Sequence, residues 1–210
     1  MYTLFGAQGS GAAAIEAALV LAGVPFRGVD AASWQPGPGV DAMRRVNPLA
    51  QVPTLLLPDG TVLTESAAIL IELGLHHPES RLLPPAEADR AQAIRGLVYI
   101  AANCYAAIGV IDYPERWCSE ASEADRERIR SGSRTRLHQL WDLFADSFPA
   151  RPFLTGTQLG ALDLLAAVVS KWSGARAHLA ASRPDFSALL QAIEREPRLS
   201  PVFDKYWPPS

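Results

Sequence analysis

An acidic residue and a hydroxyl residue stand side by side at Glu65 and Ser66, at the start of an apolar helical pattern that ends at Leu75. The first turn of a helix has unpaired backbone N–H groups and a partial positive charge, which favour a bound anion. Ser66 would add a donor for that anion, and Glu65 would attract a cation. Helix capping by Thr64 with Glu65 as a first-turn acid would explain the same residues without a ligand.

Two further segments carry residue types that could serve the same ligand. Val52 and Pro53 open an apolar strand, and the proline removes one donor from the strand ladder. Ser10 follows Gln8-Gly9 between the first predicted strand and the first predicted helix. A hydroxyl there can cap the helix or donate a hydrogen bond to a ligand.

The elements that must position these residues alternate along the first third of the chain. Apolar runs and breakers predict the order β-α-β-α-β-β-α, with Pro58-Asp59-Gly60 as the hairpin turn. Gly23 is the expected C-cap of the first helix. The glycines and prolines of residues 34–39 predict no regular element there. The predicted ranges are strands 2–5, 26–30, 53–57 and 61–63, and helices 10–23, 40–46 and 64–75.

The pattern changes after residues 78–85, where no further strand is predicted. Four apolar stripes at helical spacing follow, beginning at Ile94, Leu137, Leu162 and Phe186. Strands first and helices afterwards indicate two domains. We therefore predict an α/β domain at residues 1–77, a linker at 78–87, and an all-α helical bundle at 88–210.

Two stretches resemble the glutathione site of cytosolic glutathione transferases, of a serine-type or bacterial-like subclass that stays unassigned. They are Asn-Pro-Leu-Ala-Gln-Val-Pro-Thr-Leu at 47–55 and Leu-Thr-Glu-Ser-Ala-Ala-Ile at 63–69. The similarity covers essentially the whole chain. It implies a thioredoxin-like N-terminal domain that binds glutathione as co-substrate, with no metal. A conjugation of the glutathione thiolate to small electrophiles is the activity that the resemblance implies.

The resemblance also assigns binding residues. Glutathione would lie along Val52, whose backbone would face outward after a cis bond to Pro53, and Gln51 would line the same groove. Ser66 would bind the carboxylate of the γ-glutamyl end, and Glu65 its ammonium group.

The group that activates the thiol is less sharply defined. A thiol with a pKa of about 8.5 is mostly protonated at neutral pH, and Ser10 is the candidate catalytic donor. Classes that use tyrosine would need it near Leu4 or Phe5, and classes that use cysteine would need it at Gly11. A shift of the alignment by one residue would put Gly9 at the serine position and leave the thiol to backbone N–H groups.

The second, electrophilic substrate requires an apolar pocket near the end of the first long helix. Tyr105, Ile108, Tyr113 and Trp117 are the expected walls. Aromatic residues at helical spacing can equally belong to the core. Farther along, Asp163 matches the family's buried helix start, where Gly160 replaces the capping hydroxyl residue, so we expect a structural role for Asp163 and a weakened cap.

Composition excludes several other classes. The 210 residues carry a net charge of −3 with scattered basic residues, which does not favour nucleic acid. Cys104 and Cys118 lack metal-ligand spacing, and His76 and His77 point in different directions on a helix. We expect no segment of transmembrane length and a cytoplasmic protein, and the resemblance implies a homodimer.

Three rival interpretations remain. Gly6, Gly9 and Gly11 with Asp30 imitate a dinucleotide fingerprint, but in the wrong glycine order and without further βαβ units. A non-catalytic relative would work through binding or protein contacts. A third group would use glutathione for isomerisation, dehalogenation, ether cleavage or peroxide reduction.

Overall fold

The computed structural model describes residues 1–208 and begins with a small mixed sheet flanked by helices. Its elements follow the predicted order, so the prediction of a thioredoxin-like domain ahead of a helical domain is confirmed. The N-terminal elements are β1 (Tyr2–Gly6), α1 (Ala12–Ala22), β2 (Phe26–Asp30), α2 (Pro38–Val46), β3 (Thr54–Leu56), β4 (Val62–Leu63) and α3 (Ser66–His76).

The sheet has the strand order β2-β1-β3-β4. Strands β1 and β2 run parallel, with Tyr2 opposite Phe26, whereas β3 is antiparallel to both β1 and β4. This mixed sheet differs from the extended parallel sheet of a dinucleotide-binding domain. The predicted site requires two helix N-termini: that of α1, which follows the β1–α1 turn, and that of α3.

Helix α2 corrects one sequence prediction. Residues 34–39 were expected to contain no regular element, yet α2 begins at Pro38. Proline lacks the backbone N–H that has no partner in the first helical turn, and its fixed φ suits that position. Val40 and Met43 of this helix form a small cluster with Phe5 and Ala31, apart from the main core.

Helix α1 is buried over most of its length. Ala12, Ile15 and Leu19 have no solvent-exposed surface, and Gly23 ends the helix in the left-handed conformation, as predicted. The one charged side chain inside it, Glu16, accepts hydrogen bonds from Lys205 Nζ at 2.7 Å and from the Tyr206 hydroxyl at 2.9 Å. The end of the described chain is therefore tied to the first helix.

The later elements are helical. They are α4 (Glu87–Tyr99), α5 (Ala106–Asp112), α6 (Glu123–Ser147), α7 (Ala161–Val169), α8 (Ala175–Ser182), α9 (Pro184–Glu194) and α10 (Ser200–Tyr206). Periodicity did not single out α8 and α10, because helices of two turns give only a short apolar pattern. The predicted domain limits at residues 77 and 88 stay predictions.

One apolar core extends through both parts of the chain. It joins Leu4, Ile15 and Leu70 of the sheet and its helices to Leu97 and Trp141 of the helical part. Helix α7 carries much of this contact, because it packs against α1, α3 and α4. The shared core therefore holds the N-termini of α1 and α3 against the helical run that begins with α4.

The expectation that no segment approaches transmembrane length is wrong for one run. Residues Glu87–Asp112 form 26 consecutive helical residues that are long and apolar enough, by length and composition alone, to cross a membrane. Several of these apolar residues belong to the core, among them Leu97, Ile100 and Ile108. The six residues Ile100–Tyr105 of this run form a π-helical turn between α4 and α5.

Asp163 has the structural role predicted for it. Its carboxylate, which has no exposed surface, accepts hydrogen bonds from the backbone N–H groups of Leu154 at 2.7 Å, Thr155 at 3.1 Å and Gly160 at 3.0 Å. Burial raises the pKa of Asp163, and these donors oppose the rise. A Cβ atom on Gly160 would lie 2.7 Å from the Leu82 carbonyl oxygen, so a capping serine would not fit without a shift of the backbone.

Replacing Asp163 with alanine should destabilise the fold. Three buried N–H groups would lose their acceptor, so we expect Asp163→Ala to lower the free energy of unfolding by about 3 to 5 kcal/mol. Urea denaturation followed by circular dichroism measures this. The exposed Asp204 supplies the matched control, because Asp204→Ala should change stability by less than about 0.5 kcal/mol. Equal effects of the two variants would contradict the structural role of Asp163.

Candidate functional site

A cleft of about 790 Å³ lies between the sheet domain and the first helices of the helical domain. It brings together nine of the ten predicted site residues: Ser10, Gln51, Val52, Pro53, Glu65, Ser66, Tyr105, Ile108 and Tyr113. Residues that the sequence did not single out also line it, including Gly9, Gly11, Trp34, Leu49, Asp112, Arg116 and Trp172. The two predicted half-sites therefore face a single cavity.

Trp117 is the exception, and its assignment to the electrophile pocket is corrected. Its side chain is 67% exposed and does not line the cleft. It directly follows the short 3-10 helix Pro114–Arg116, whose Arg116 lines the cavity. The Arg116 guanidinium lies 3.8 Å from the centre of the Tyr113 ring, as a cation–π pair.

The start of α3 has the features of an anion site. Glu65 occupies the N-cap position with φ of +65°, and no side chain caps the helix. Capping by Thr64, the alternative explanation of this segment, is therefore not observed. Ser66 is buried at the first helical position, so its hydroxyl and the first N–H groups of α3 remain for a ligand. A positive φ at a non-glycine residue costs about 1–3 kcal/mol and is often found at binding sites.

The loop before β3 presents backbone groups to the cleft. The Val52–Pro53 peptide bond is cis, as the resemblance implied. Within residues 1–208, the structure records no hydrogen bond at the backbone N–H or C=O of Val52. An extended peptide could pair with these groups as an added strand does.

Asn47 is a positioning residue that the sequence analysis did not identify. Its buried side-chain amide donates to Thr54 Oγ1 at 2.8 Å and to the Gln51 carbonyl at 3.3 Å, and its Oδ1 accepts from the Leu49 N–H at 3.0 Å. Thr54 in turn donates to the Gln51 carbonyl at 2.7 Å. This network holds Gln51 and Val52 at the cleft. An asparagine directly after an amphipathic helix was the available signal.

Ser10 lies at the cleft, but its hydroxyl is engaged by the backbone. The hydroxyl donates to the Ala7 carbonyl oxygen at 2.6 Å, and its oxygen accepts from the N–H groups of Ala7 at 3.2 Å and Ala12 at 3.3 Å. A serine hydroxyl has a single hydrogen to donate. In this arrangement Ser10 stabilises the turn into α1, and its hydrogen does not point to a ligand.

Tyr105, from the helical domain, lies at the start of α1 in the same cleft. Its hydroxyl lies against Gly11 at the start of α1 and beside the Ser66 hydroxyl. Its ring packs against Trp172 with centroids 5.5 Å apart, and Trp172 Nε1 donates to the Gly9 carbonyl at 3.2 Å. Burial, and to a lesser degree the Glu65 carboxylate, raise the pKa of Tyr105, so it is protonated at neutral pH.

Comparison with known proteins agrees with this geometry. The family model for the glutathione S-transferase N-terminal domain matches residues 12–76. The chain is 29% identical over 207 residues to the uncharacterised GST-like protein YncG of Escherichia coli K12, with 98% of each chain covered.

Solved structures share the whole architecture. A glutathione transferase homologue from Sulfitobacter, with bound glutathione, superposes with a TM-score of 0.84 at 22% identity over 98% of both chains. A glutathione transferase from Methylococcus capsulatus gives a TM-score of 0.76 at 27% identity, over 97% of this chain and 98% of that one. Residues 12–76 therefore match the glutathione S-transferase N-terminal domain, and the whole chain has the fold of solved glutathione transferases.

Proposed function

We propose that the protein binds glutathione in the cleft and conjugates the glutathione thiolate to small electrophiles. The observation that carries the proposal is the uncapped start of α3, where Ser66 and Glu65 face the same cavity as the unpaired backbone of Val52. A tripeptide with an α-amino acid head and a cysteinyl backbone matches both features. The Sulfitobacter neighbour, which holds glutathione, supports this choice of ligand.

Each end of the ligand would use a different kind of contact. The γ-glutamyl carboxylate would accept from the Ser66 hydroxyl and the first N–H groups of α3, and its ammonium group would face the Glu65 carboxylate. The cysteinyl backbone would pair with the N–H and C=O of Val52. The sulfur would then lie toward the start of α1, where a partial positive charge stabilises a thiolate.

The proposed reaction begins with a thiolate. The thiol proton leaves to solvent, and the thiolate sulfur forms a bond to an electrophilic carbon of the second substrate. In a displacement the carbon–leaving group bond breaks and its electron pair departs with the leaving group, whereas in an addition the substrate takes a proton from water. The protein contributes a lowered thiol pKa and proximity. Ile108, Tyr113 and Arg116 would border the electrophile.

A second function is favoured by the geometry of Ser10. Because its only hydroxyl hydrogen is donated to the Ala7 carbonyl, the sequence-predicted catalytic donor is occupied in this structure. A protein that binds glutathione without turning it over would have this arrangement too. Glutathione-affinity capture followed by assays with several types of electrophile separates the two functions, because capture without turnover would support the binding protein.

The homodimer and the cytoplasmic location remain proposals drawn from the family. Val98 on α4 and Leu143 on α6 are about half exposed, at 51% and 52%, and offer apolar surface for a subunit contact. Sedimentation equilibrium should give twice the monomer mass of 22.6 kDa. A mass equal to the monomer across micromolar concentrations would refute the dimer.

Ser66→Ala should weaken glutathione binding with little change in the pKa of the bound thiol. Loss of a hydrogen bond to a charged carboxylate costs about 1.5–3 kcal/mol, which corresponds to roughly a tenfold to hundredfold loss of affinity. Isothermal titration calorimetry measures it, with Ser131→Ala on the exposed surface of α6 as the control. Unchanged affinity in Ser66→Ala would refute the assigned anion site, and an absence of binding by the unaltered protein would refute the proposed function.

Ser10→Ala tests the role of the turn into α1. Because two N–H groups lose their acceptor and the Ala7 carbonyl loses one of its two donors, we expect a loss of about 1–2 kcal/mol in the free energy of unfolding, measured by urea denaturation. The pKa of bound glutathione, read from the ultraviolet absorbance of the thiolate, should change little. A large rise of that pKa in Ser10→Ala would instead establish the catalytic role that the resemblance implies for Ser10.

A further inference from the structure

The space beside Gly11 is filled by a group from the other domain. A Cβ atom on Gly11 would collide with the Tyr105 hydroxyl and would lie 3.4 Å from Ser66 Oγ. In this chain the Tyr105 hydroxyl takes up that volume, at the start of α1 and inside the cleft.

The surroundings hold the tyrosine in place. Tyr105 is the last residue of the π-helical turn Ile100–Tyr105, and such turns reorient side chains and are frequent at functional sites. Trp172 contacts its ring and is itself hydrogen-bonded to the Gly9 carbonyl. The helical domain therefore fixes the tyrosine against the β1–α1 turn. In the proposed complex the glutathione sulfur lies at this turn.

The hydroxyl is chemically suited to donate. It is partly buried in the cleft and has Ser66 beside it, a neighbour whose own hydroxyl can donate to the ligand carboxylate. The Ser10 hydroxyl, by contrast, donates its only hydrogen to the Ala7 carbonyl oxygen. Burial and the Glu65 carboxylate raise the pKa of Tyr105, so the phenol keeps its proton at the pH at which the thiol ionises.

We propose that Tyr105, reaching over Gly11 from the helical domain, donates the hydrogen bond that stabilises the glutathione thiolate in this protein. This assignment rests on the proposed glutathione binding. The thiol S–H bond breaks and its proton goes to solvent, while the Tyr105 O–H bond stays intact and its hydrogen points to the sulfur. Tyr105 is thus a catalytic residue in place of Ser10, and the partial positive charge at the start of α1 assists it.

Tyr105→Phe isolates this hydrogen bond. The variant keeps the ring against Trp172 and removes only the hydroxyl, so we expect the pKa of bound glutathione to rise by about one to two pKa units. The readout is the ultraviolet thiolate absorbance of the complex across pH, at saturating glutathione. The charged groups that line the cleft, Glu65, Asp112 and Arg116, are unchanged by the substitution.

Tyr99→Phe is the matched control. The Tyr99 hydroxyl belongs to the same helical run but donates to the Leu140 carbonyl at 3.0 Å and does not line the cleft. Its removal should leave the bound thiol pKa unchanged. Calorimetry on each protein reports glutathione affinity separately, so that a loss of binding is not mistaken for a loss of thiolate stabilisation.

Gly11→Ala provides an independent variant. The added methyl group would displace the Tyr105 hydroxyl from the start of α1, and the bound thiol pKa should rise as in Tyr105→Phe. Combining both substitutions should raise the pKa no further than either alone, because they remove the same interaction. This arm keeps the proposal testable if Tyr105→Phe folds poorly.

Four outcomes would overturn the assignment. A bound thiol pKa unchanged by Tyr105→Phe would exclude the donor role while leaving glutathione binding intact. A weakened affinity with an unchanged thiol pKa would make Tyr105 a support for Ser66. A rise of the thiol pKa confined to Ser10→Ala would return the role to Ser10. Absence of glutathione binding by the unaltered protein would overturn the proposed function together with this assignment.

Discussion

The burial of α1 is the constraint on which the rest of the structure depends. The helix lies between the sheet, α3, α7 and α10, so the side chains from Ala12 to Leu19 have almost no exposed surface. Small alanines allow this close approach from several directions, and the Glu16 carboxylate is satisfied by Lys205 and Tyr206. Because α1 cannot shift independently, its N-terminus is held at the seam between the sheet domain and the helical domain.

The cleft follows from that arrangement. The N-termini of α1 and α3 line one cavity, because the two helices pack against each other and against α7. The loop held by Asn47 brings the Val52 backbone to the same cavity. Binding groups of three kinds therefore converge: backbone donors, a hydroxyl, and a carboxylate. The helical domain closes the cleft with Tyr105, Ile108 and Tyr113.

At two glycines, a group from a distant part of the chain lies where a side chain would otherwise be. Gly160 lies against the Leu82 carbonyl, where the capping hydroxyl residue expected from the family would collide, and Asp163 supports the helix start through backbone N–H groups instead. Gly11 lies against the Tyr105 hydroxyl in the same way. At both positions the absence of a side chain leaves room for a group from a distant part of the chain. This explains why glycine stands where the family pattern has a capping hydroxyl residue or a reactive side chain.

The amino-acid sequence by itself determined the order of the N-terminal elements, the fold class and the position of Glu65 and Ser66 at a helix start, because these depend on local signals. Periodicity, Gly23, the hairpin turn and the pair Glu65–Ser66 each act within a few residues. Helix starts were less accurate, as at Pro38, because proline both breaks and begins helices.

Only the tertiary structure decided which side chains meet. It removed Trp117 from the cleft, engaged the hydrogen of Ser10 with the Ala7 carbonyl, and placed Tyr105 against Gly11 across 94 positions of sequence. The physical reason is that side-chain direction at such sites depends on the packing of α7 and on the π-helical turn, neither of which has a local sequence signature.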